Sequence, residues 1–509
     1  MKNTILICLL ILTFSPMLFF PISADISIFI MAGKAIYNGQ KIFVDFVDLK
    51  PPFFYIIYSF IYSLFGDKEL NLRLFDVIYQ LITAYFLFKY TSKLKNSDVA
   101  WISVFIYAFS YTVIGYSQTM NVESFAGLPL LIILLNIEKS KTSNLHLLTV
   151  LICLALLTSI KFSFGLLLFA YFLISYQKPF DIKQLTRIGF SAFIFTLIVL
   201  LTFFPLIDSE IYTAFTNVFK YLSFHAGNPP FNFGLLKFGI VETGVFFGDN
   251  FGLMFTILLS FSLITIFKNN QYEKFKSIII LMIFLLFSVI WERKFSIYHF
   301  SRLYVLFSVF IGIGLFDFYK ICKESFIDSD LLKRFVIITL TFFILIQSPV
   351  TRYIKIIIPV KDYFTDKNSF NNHYQINNDN QNIRATYLQI AEYIKLQNTN
   401  NKNLIVSGIG SNLINYFTPE YQHSKFSQSL FYFGNVKIPE WREDFKKELM
   451  KAGIIVIQTD DIHPLLTGHT KSSWECLTEN AELIAIINEN FTKQIEIGHF
   501  LIFFRNGSQ

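Results

Sequence analysis

Long apolar segments repeat along the first 360 residues of the chain, and they limit its fold more than any other feature. A helix rises about 1.5 Å per residue, so about 20 apolar residues cross a hydrocarbon layer of about 30 Å. Runs that reach or approach this length lie near 4–24, 71–92, 99–118, 121–137, 144–160, 162–177, 188–207, 250–267, 277–291, 297–318 and 333–358. The sequence therefore predicts an α-helical polytopic membrane protein with about eleven transmembrane helices plus interfacial helices.

Composition supports a membrane protein and excludes other classes. The chain is 53% hydrophobic and only 16% charged, which is far more apolar than a soluble domain. Its net charge of +7 does not indicate nucleic-acid binding, because the lysines flank apolar segments and form no basic stripe interleaved with aromatic residues. The cysteines are too scattered for a zinc ribbon or a disulfide framework: Cys8, Cys153, Cys322 and Cys476.

Basic residues between the apolar runs predict the topology. The run at 51–65 is short and begins with Pro51 and Pro52, so we interpret it as an interfacial or re-entrant helix. The loops that are rich in basic residues then share one side, which the positive-inside rule makes cytoplasmic: Lys89, Lys93, Lys95, Lys139, Lys141, Lys178, Lys183, Arg187, Lys268, Lys274, Lys276, Lys320, Lys323, Lys333 and Arg334. Segments 25–70, 118–122, 208–249 and 291–297 are predicted to lie outside.

The N-terminal run allows a second interpretation. Residues 1–24 combine Lys2, an apolar stretch and the small residues Ser23 and Ala24, as a cleavable signal peptide does. The run is long for such a peptide, which favours a first transmembrane helix. Both interpretations place residue 25 outside.

The composition changes after residue 358. Residues 359–509 are rich in Asn, Lys, Glu and Asp and contain no run that could cross a bilayer, so they predict a soluble external α/β domain following a transmembrane domain at 1–358. Segment 361–382 is predicted to be a loop. Periodicity then predicts helices at 384–397, 440–452 and 474–490 and strands at 403–410, 453–461 and 499–506.

The loop at 25–70 concentrates charge directly after the first apolar run. It contains Asp25, Asp45, Asp48 and Lys50. An ion carried to the centre of a bilayer costs roughly 2.5–3.5 kcal/mol, so charges at a membrane boundary are candidates for function. An ordinary solvated loop is the alternative.

The same region carries a family resemblance. An acidic residue after the first span, Gly39, the segment DFVDLKPP at 45–52, Gly66 and Arg73 follow each other in this order. This order resembles the first external loop of polyprenyl-phosphate-sugar glycosyltransferases of the type C fold, which include protein O-mannosyltransferases and lipid A aminoarabinose transferases. The resemblance implies a multi-pass enzyme of the cell membrane whose catalytic loop, 25–70, and C-terminal domain are extracytoplasmic.

The resemblance also implies roles for residues. Asp25 would be the general base that takes the proton of the acceptor hydroxyl. Lys50 would bind the leaving polyprenyl phosphate, although a lysine at this depth often only snorkels. Asp45, Asp48 and Glu123 would contact substrates, and Glu123 corresponds to the acidic residue of the second external loop of the family.

Segment 291–304, WERKFSIYHFSRLY, resembles the donor-phosphate region of the family. His299 and Arg302 are its substrate-binding candidates, and membrane-anchoring side chains are the alternative. His225 and Lys161 are weaker candidates. No cofactor is required by this chemistry, and a metal ligand set is not assigned, although a divalent cation is compatible with a carboxylate such as Glu123.

The predicted partners are a polyprenyl-phosphate sugar donor, membrane lipids, and a lipid, glycan or protein acceptor. Three other classes stay open: a glycan polymerase or ligase that uses lipid-pyrophosphate donors, a lipid-glycan transporter, and a membrane-anchored binding protein. The transporter and the binding protein leave the charged loop unexplained. The donor sugar and the acceptor are not determined by the sequence.

Overall fold

The computed structural model describes residues 2–175, 182–227, 230–327, 331–346, 349–374, 384–397 and 399–507, so Lys178 lies outside the described residues. The chain forms two compact units. The first, the helical unit, comprises Met1–Phe20, Lys68–Phe204 and Asn232–Val360. The second, the mixed unit, comprises Pro21–Asp67, Pro205–Phe231 and Lys361–Gln509.

Helices dominate the chain up to residue 365. In chain order they are α1 Lys2–Phe14, α2 Ala24–Tyr37, α3 Pro52–Phe65, α4 Glu69–Leu94, α5 Ser97–Val113, α6 Gly127–Asn136, α7 Asn144–Ile160, α8 Leu166–Ser175, α9 Ile182–Thr202, α10 Ser209–Gly227, α11 Phe233–Val245, α12 Leu253–Lys268, α13 Tyr272–Glu292, α14 Ile297–Phe300, α15 Tyr304–Ile327, α16 Leu331–Ile346 and α17 Pro349–Thr365.

Helices and strands alternate in the C-terminal part. They are α18 Lys367–His373, α19 Arg384–Gln397, β1 Asn403–Ser407, α20 Leu413–Phe417, β2 Gln422–His423, α21 Leu430–Phe433, α22 Pro439–Lys451, β3 Ile454–Gln458, α23 Pro464–Thr467, α24 Ser473–Thr478, α25 Ala481–Asn490, β4 Phe491–Ile497 and β5 Phe500–Arg505.

Among the described residues, four helical segments are long and apolar enough to cross a membrane: Lys2–Phe19, Ile182–Thr202, Tyr272–Glu292 and Ile297–Glu324. The pair Phe233–Gly248 and Leu253–Lys268, bent by 96°, makes a fifth if it counts as one span. All of these segments belong to the helical unit. The chain is therefore a multi-pass membrane protein.

The predicted number of eleven spans is not confirmed. The apolar runs near 121–137 and 162–177 each begin with a 3₁₀ turn, so the regular helices that follow, α6 and α8, have 10 residues each. Ten residues extend only about 15 Å. An apolar run therefore overestimates the length of a straight helix wherever a turn interrupts it.

Helices α2 and α3 pack closely within the mixed unit. A Cβ atom on Gly33 would lie 2.5 Å from the backbone carbonyl carbon of Tyr58, so only glycine permits this approach. The Phe29 ring packs edge to face on Phe54 with 4.8 Å between ring centroids. Helix α3 has 14 residues, or about 21 Å, and its interpretation as an interfacial or re-entrant helix stays a prediction.

A five-stranded sheet in the order β2-β1-β3-β5-β4 forms the centre of the C-terminal part. Strands β2, β1 and β3 are parallel, whereas β5 is antiparallel to both β3 and β4. All five residues of β3 are buried, as is typical of a central strand covered on both faces. The predicted α/β character of this region is thus confirmed.

The predicted elements of this region agree with the structure in most places. Helix α19 coincides with the predicted 384–397, and β1, β3 and β5 lie within the predicted strands. The helix predicted at 474–490 is wrong in part, because the Asn480 side chain accepts from the amides of Glu482 and Leu483 and starts a new helix there. Strand β4 was not predicted.

The predicted loop at 361–382 is also wrong in part. Helix α17 continues to Thr365, and Asp366 caps α18 by accepting hydrogen bonds from the amides of Asn368 and Ser369. Residues 375–382 lie outside the described residues.

Candidate functional site

Five ionisable side chains meet in the helical unit, and we call them the charge cluster: Glu123, Lys161, Glu292, His299 and Arg302. All five lie where helices end or begin. Glu123 is in the 3₁₀ turn Val122–Phe125 before α6, and Lys161 follows the last residue of α7. Glu292 ends α13, and Arg302 lies in the 3₁₀ turn Ser301–Leu303 that precedes α15. At helix ends some backbone N–H and C=O groups have no partner within the helix, and the chain turns there. Such turns can direct side chains from several helices toward one point.

Arg302 is the centre of the cluster. Its Nη2 donates to Glu123 Oε1 at 2.7 Å, and its two terminal nitrogens contact the two Glu292 oxygens at 2.8 and 3.1 Å. Its Nη1 also donates to Ser288 Oγ at 2.8 Å. The side chain is fully buried, and its guanidinium lies over the Phe164 ring at 4.8 Å. Bidentate pairing of this kind fixes both the position and the orientation of the carboxylate.

Lys161 and His299 complete the cluster. The Lys161 ammonium contacts Glu123 Oε1 and lies 2.7 Å from Glu292 Oε2, so it bridges the two carboxylates. His299 Nδ1 lies 3.3 Å from Glu292 Oε2. The Lys161 side chain is 21% exposed, whereas the Glu123 side chain is 1% exposed. Lys161 is thus the member that a ligand can reach most readily.

A sharp backbone reversal places Glu292 and His299 together. Arg293 and Phe295, which link α13 to α14, both have positive φ angles, of 59° and 50°. This conformation costs about 1–2 kcal/mol for a residue other than glycine. The Phe295 ring packs on Gly239, where a Cβ atom would lie 2.4 Å from the ring. The packing against α11 therefore helps to hold the reversal.

The cluster balances its charges. Two carboxylates face one guanidinium and one ammonium, and this pairing offsets much of the cost of burying each ion. Glu123, Glu292 and His299 each offer one atom within 4.8 Å of the others, which suits the donor set of a divalent cation. Lys161 already contacts both carboxylates, so such a cation would have to displace its ammonium group.

The structure brings together three of the predicted site residues, Glu123, His299 and Arg302. It adds Lys161, which was a weaker candidate, and Glu292, which sequence reasoning missed. Glu292 stands beside basic residues at the end of an apolar run, so it looks like a boundary residue. An acidic residue at the end of a long apolar helix is nevertheless a signal that could have identified it. His225 lies in α10, outside the helical unit.

The other predicted residues belong to the mixed unit. Asp25 is exposed in the first turn of α2, where the Ser23 side chain caps the helix by accepting from the Ile26 amide. A carboxylate in the first turn of a helix is typically stabilising by about 0.3–1 kcal/mol. This arrangement presents the predicted base at a defined helix end.

The three candidates at 45–50 differ in environment. Asp45 is exposed and accepts from the Lys41 amide at 2.8 Å. Asp48 is 4% exposed and accepts hydrogen bonds from Tyr55 OH at 2.6 Å and Ser427 Oγ at 3.2 Å. Burial raises the pKa of Asp48 above its ordinary value. Asp48 thus ties the loop to the segment around Ser427, and its predicted contact with substrate stays a prediction.

Lys50 is half-buried beside the α2–α3 pair. Its ammonium lies 5.7 Å from the centre of the Phe29 ring, a distance typical of a cation–π contact. Its backbone amide donates to Tyr55 OH at 2.8 Å, so the same tyrosine fixes both Lys50 and Asp48. The position of Lys50 is therefore defined by its neighbours.

Part of the chain matches a known protein family. The model of the family described as dolichyl-phosphate-mannose-protein mannosyltransferase matches residues 49–207. The matched segment starts just before Lys50 and includes Glu123 and Lys161. No curated protein sequence matches the chain.

Solved structures match nearly the whole chain. ArnT from Cupriavidus metallidurans in the apo state is 11% identical, with a TM-score of 0.60 over 99% of this chain and 97% of ArnT. The same protein bound to undecaprenyl phosphate is 10% identical, with a TM-score of 0.58 over 100% of this chain and 98% of ArnT. The archaeal oligosaccharyltransferase AglB from Archaeoglobus fulgidus, in complex with an inhibitory peptide and a dolichol-phosphate, is 9% identical, with a TM-score of 0.51 over 98% of this chain and 74% of AglB.

These matches show that the chain has the fold of ArnT. Together with the family match, they confirm the predicted resemblance to type C glycosyltransferases that use polyprenyl-phosphate sugars.

Proposed function

We propose that this protein moves a sugar from a polyprenyl-phosphate donor to an acceptor hydroxyl at the extracytoplasmic face of the cell membrane. The family match at 49–207 carries the proposal, because it covers Lys50, Glu123 and Lys161. The ArnT-like fold over the whole chain is consistent with it. In a solved complex, ArnT binds undecaprenyl phosphate, a lipid of the class proposed here as the leaving group.

The composition of the two units supports the proposed sidedness. The mixed unit consists of 21–67, 205–231 and 361–509, and nearly all of these residues lie in segments that the lysine distribution predicts to be outside. Within the described part of the chain, the helices that are long and apolar enough to cross a membrane all belong to the helical unit.

The proposed chemistry assigns the base to Asp25. The acceptor oxygen attacks the anomeric carbon, the bond from this carbon to the phosphate oxygen breaks, and the acceptor proton passes to the Asp25 carboxylate. Polyprenyl phosphate leaves with the electron pair of the broken bond. Inversion at the anomeric carbon follows from a single displacement. The exposure of Asp25 in the first turn of α2 supports this role, since a base must reach the acceptor.

The leaving phosphate gains negative charge and needs a cation near it. Lys50 is our proposed contact, because its half-buried side chain holds the ammonium over the Phe29 ring, 5.7 Å from the ring centre. Asp45 contributes to substrate binding from the exposed side of the same loop. Asp48 contributes by holding the loop through Tyr55 and Ser427.

The charge cluster contributes a second substrate contact in this proposal. Arg302 pairs with Glu123, and His299 lies against Glu292. Lys161 is the most exposed member of the cluster, so a ligand would meet it first. A divalent cation, if one binds, would be held by Glu123, Glu292 and His299 and would supply positive charge to a phosphate oxygen. Arg302 would then keep both carboxylates in position.

The proposal is tested with purified protein and radiolabelled polyprenyl-phosphate sugars that differ in the sugar. Loss of label from one of these lipids, with transfer to an acceptor fraction, is the expected result. Lipid-pyrophosphate donors that carry the same sugars are assayed in parallel. Turnover of the pyrophosphate donors alone would favour a glycan polymerase or ligase, and movement of an intact lipid-linked glycan without cleavage would favour a transporter.

A further inference from the structure

A polar cavity lies within the mixed unit, and the proposed sugar transfer uses only one of its lining residues, Asp45. Its volume is about 520 Å³, within the range of about 300–1,000 Å³ that is typical of ligand sites. Its walls come from the C-terminal half of α2, the loop after α2, the turn after α3, the segment from α20 to just after β2, and α22. All of these elements belong to the same compact unit.

Several side-chain amides lie in the walls. Five of them line the cavity: Asn38, Gln40, Asn412, Asn415 and Gln422. An amide group offers both a donor and an acceptor, so it matches a hydroxyl group, which also donates and accepts. Two aromatic rings with polar tips, Tyr416 and Tyr421, line the same cavity and can cover the apolar face of a sugar ring.

One buried amide has unused hydrogen-bonding capacity. Asn415 is 3% exposed and donates through Nδ2 to Asn412 Oδ1 at 2.9 Å. Its Oδ1 is buried and has no hydrogen-bond partner among the described residues. A buried acceptor without a partner costs about 1–3 kcal/mol, so a small side-chain rotation that lets Asn415 Oδ1 accept from a ligand hydroxyl would be favourable.

The charges of the walls disfavour an anionic ligand. Three carboxylates and two ammonium groups line the cavity: Asp45, Asp67, Glu448, Lys34 and Lys425. Each ammonium already has a carboxylate partner, Lys34 with Asp67 at 2.9 Å and Lys425 with Asp444 at 2.6 Å. The walls therefore carry more negative than positive charge. A phosphate would therefore be repelled, whereas a neutral or amino sugar would not.

The cavity and the proposed base Asp25 share helix α2. Lys34 lies nine residues after Asp25 on the same helix α2, which corresponds to roughly 14 Å along the helix axis. A saccharide of a few rings spans such a distance. A sugar chain anchored in the cavity could thus present a more distant hydroxyl near Asp25.

We infer that this cavity binds a short neutral or amino saccharide that forms part of the acceptor. The binding of a saccharide follows from the amides, the aromatic rings and the charge balance of the walls. Its identity as acceptor rests on the proposed function.

Photocrosslinking in cells tests the ligand class directly. A benzophenone amino acid replaces Gln422 in the cavity wall and, as a matched control, Asn372, which is an exposed amide of α18 in the same unit and does not line the cavity. The expected result is an adduct at position 422, but not at 372, whose fragment spectra contain sugar oxonium ions. Adducts with peptide or lipid tails alone, or no sugar-bearing adduct, would overturn the inference.

Steady-state kinetics distinguish acceptor binding in this cavity from the transfer step itself. Asn38→Ala combined with Gln422→Ala should raise the acceptor KM about tenfold, since each lost hydrogen bond weakens binding severalfold. The donor KM and kcat should stay unchanged, as should all constants of Asn372→Ala. An unchanged acceptor KM would overturn the acceptor role. If wild-type protein uses no lipid-phosphate donor, the proposed function fails, and crosslinking alone decides whether a saccharide binds here.

Discussion

Arg302 and Glu292 form a buried bidentate ion pair, with Nη1–Oε1 and Nη2–Oε2 distances of 2.8 and 3.1 Å. Arg302 also pairs with Glu123, which lies 179 positions away in the sequence. Through its two carboxylate partners, Arg302 joins the turn before α15 to the end of α13 and to the turn before α6. Removal of one partner would leave a buried charge without compensation.

Glu292→Gln is expected to destabilise the protein by about 3–5 kcal/mol, because Arg302 and Lys161 lose a shared carboxylate. Thermal unfolding in detergent measures the effect. Glu273→Gln is the matched control, since Glu273 lies on the same helix and its side chain is 82% exposed, so its effect should stay within about 0.5 kcal/mol. The double variant Glu292→Met with Arg302→Met should recover part of the loss. Equal effects of Glu292→Gln and Glu273→Gln would contradict the buried pairing.

Asp25→Asn is expected to reduce transfer by about 10²–10⁴ while the protein stays folded and binds donor. Asparagine keeps the shape of aspartate but cannot take the acceptor proton. Single-turnover rates with a bound donor are the measurement. Asp45→Asn is the control, because the substrate-contact role proposed for the exposed Asp45 predicts weaker binding but an unchanged rate of the chemical step. If Asp45→Asn abolishes transfer and Asp25→Asn does not, the base has been assigned to the wrong residue.

Lys50→Ala is expected to weaken donor use by roughly tenfold to a hundredfold, since a charge-assisted contact to phosphate contributes about 1.5–3 kcal/mol. The donor KM and kcat/KM report this change. Lys41→Ala provides the comparison, because Lys41 lies in the same loop and its ammonium pairs with Asp208 and Glu210. Normal donor kinetics in a well-folded Lys50→Ala variant would mean that this lysine only anchors the loop.

His423 predicts a dependence of stability on pH. Burial lowers the pKa of His423 to about 4, and its Nε2 lies 2.9 Å from the carbonyl oxygen of Thr418. Between about pH 6.5 and pH 4 the unfolded chain binds a proton that the folded protein does not, so stability falls as the pH falls. The loss is up to about 3 kcal/mol at 1.36 kcal/mol per pKa unit.

Unfolding midpoints between pH 7.5 and 4.5 measure this effect of His423. Glutamine does not titrate in this range and retains a donor for the carbonyl of Thr418. The pH dependence of the His423→Gln variant should therefore be flatter than that of the wild type. Parallel curves would show that His423 is not the group responsible.

The membrane topology is tested by cysteine labelling in a variant without the four natural cysteines. A cysteine at Glu440, which is exposed in α22, should react with an impermeant reagent from outside. Cysteines at the exposed positions Lys93 and Lys274 should react only after the membrane is opened. Labelling of position 440 from the cytoplasmic side would reject the proposed sidedness.

Local patterns in the sequence determined the helical membrane architecture, the α/β character of the C-terminal part and several individual elements. Helix α19 and strands β1, β3 and β5 could be predicted because hydrophobic periodicity is a property of neighbouring residues. The family resemblance at 25–73 likewise depended on the order of residues in one short segment. These features require no knowledge of distant contacts.

Only the tertiary structure decided the partners of the charged residues. Glu292 entered the charge cluster because a reversal at Arg293 and Phe295 turns the chain back toward Arg302. Asp48 differs from Asp45, three residues earlier, because Ser427 from a distant segment and Tyr55 enclose it. Burial and pairing of an ion depend on groups that are far away in the sequence, and a local pattern contains no information about them.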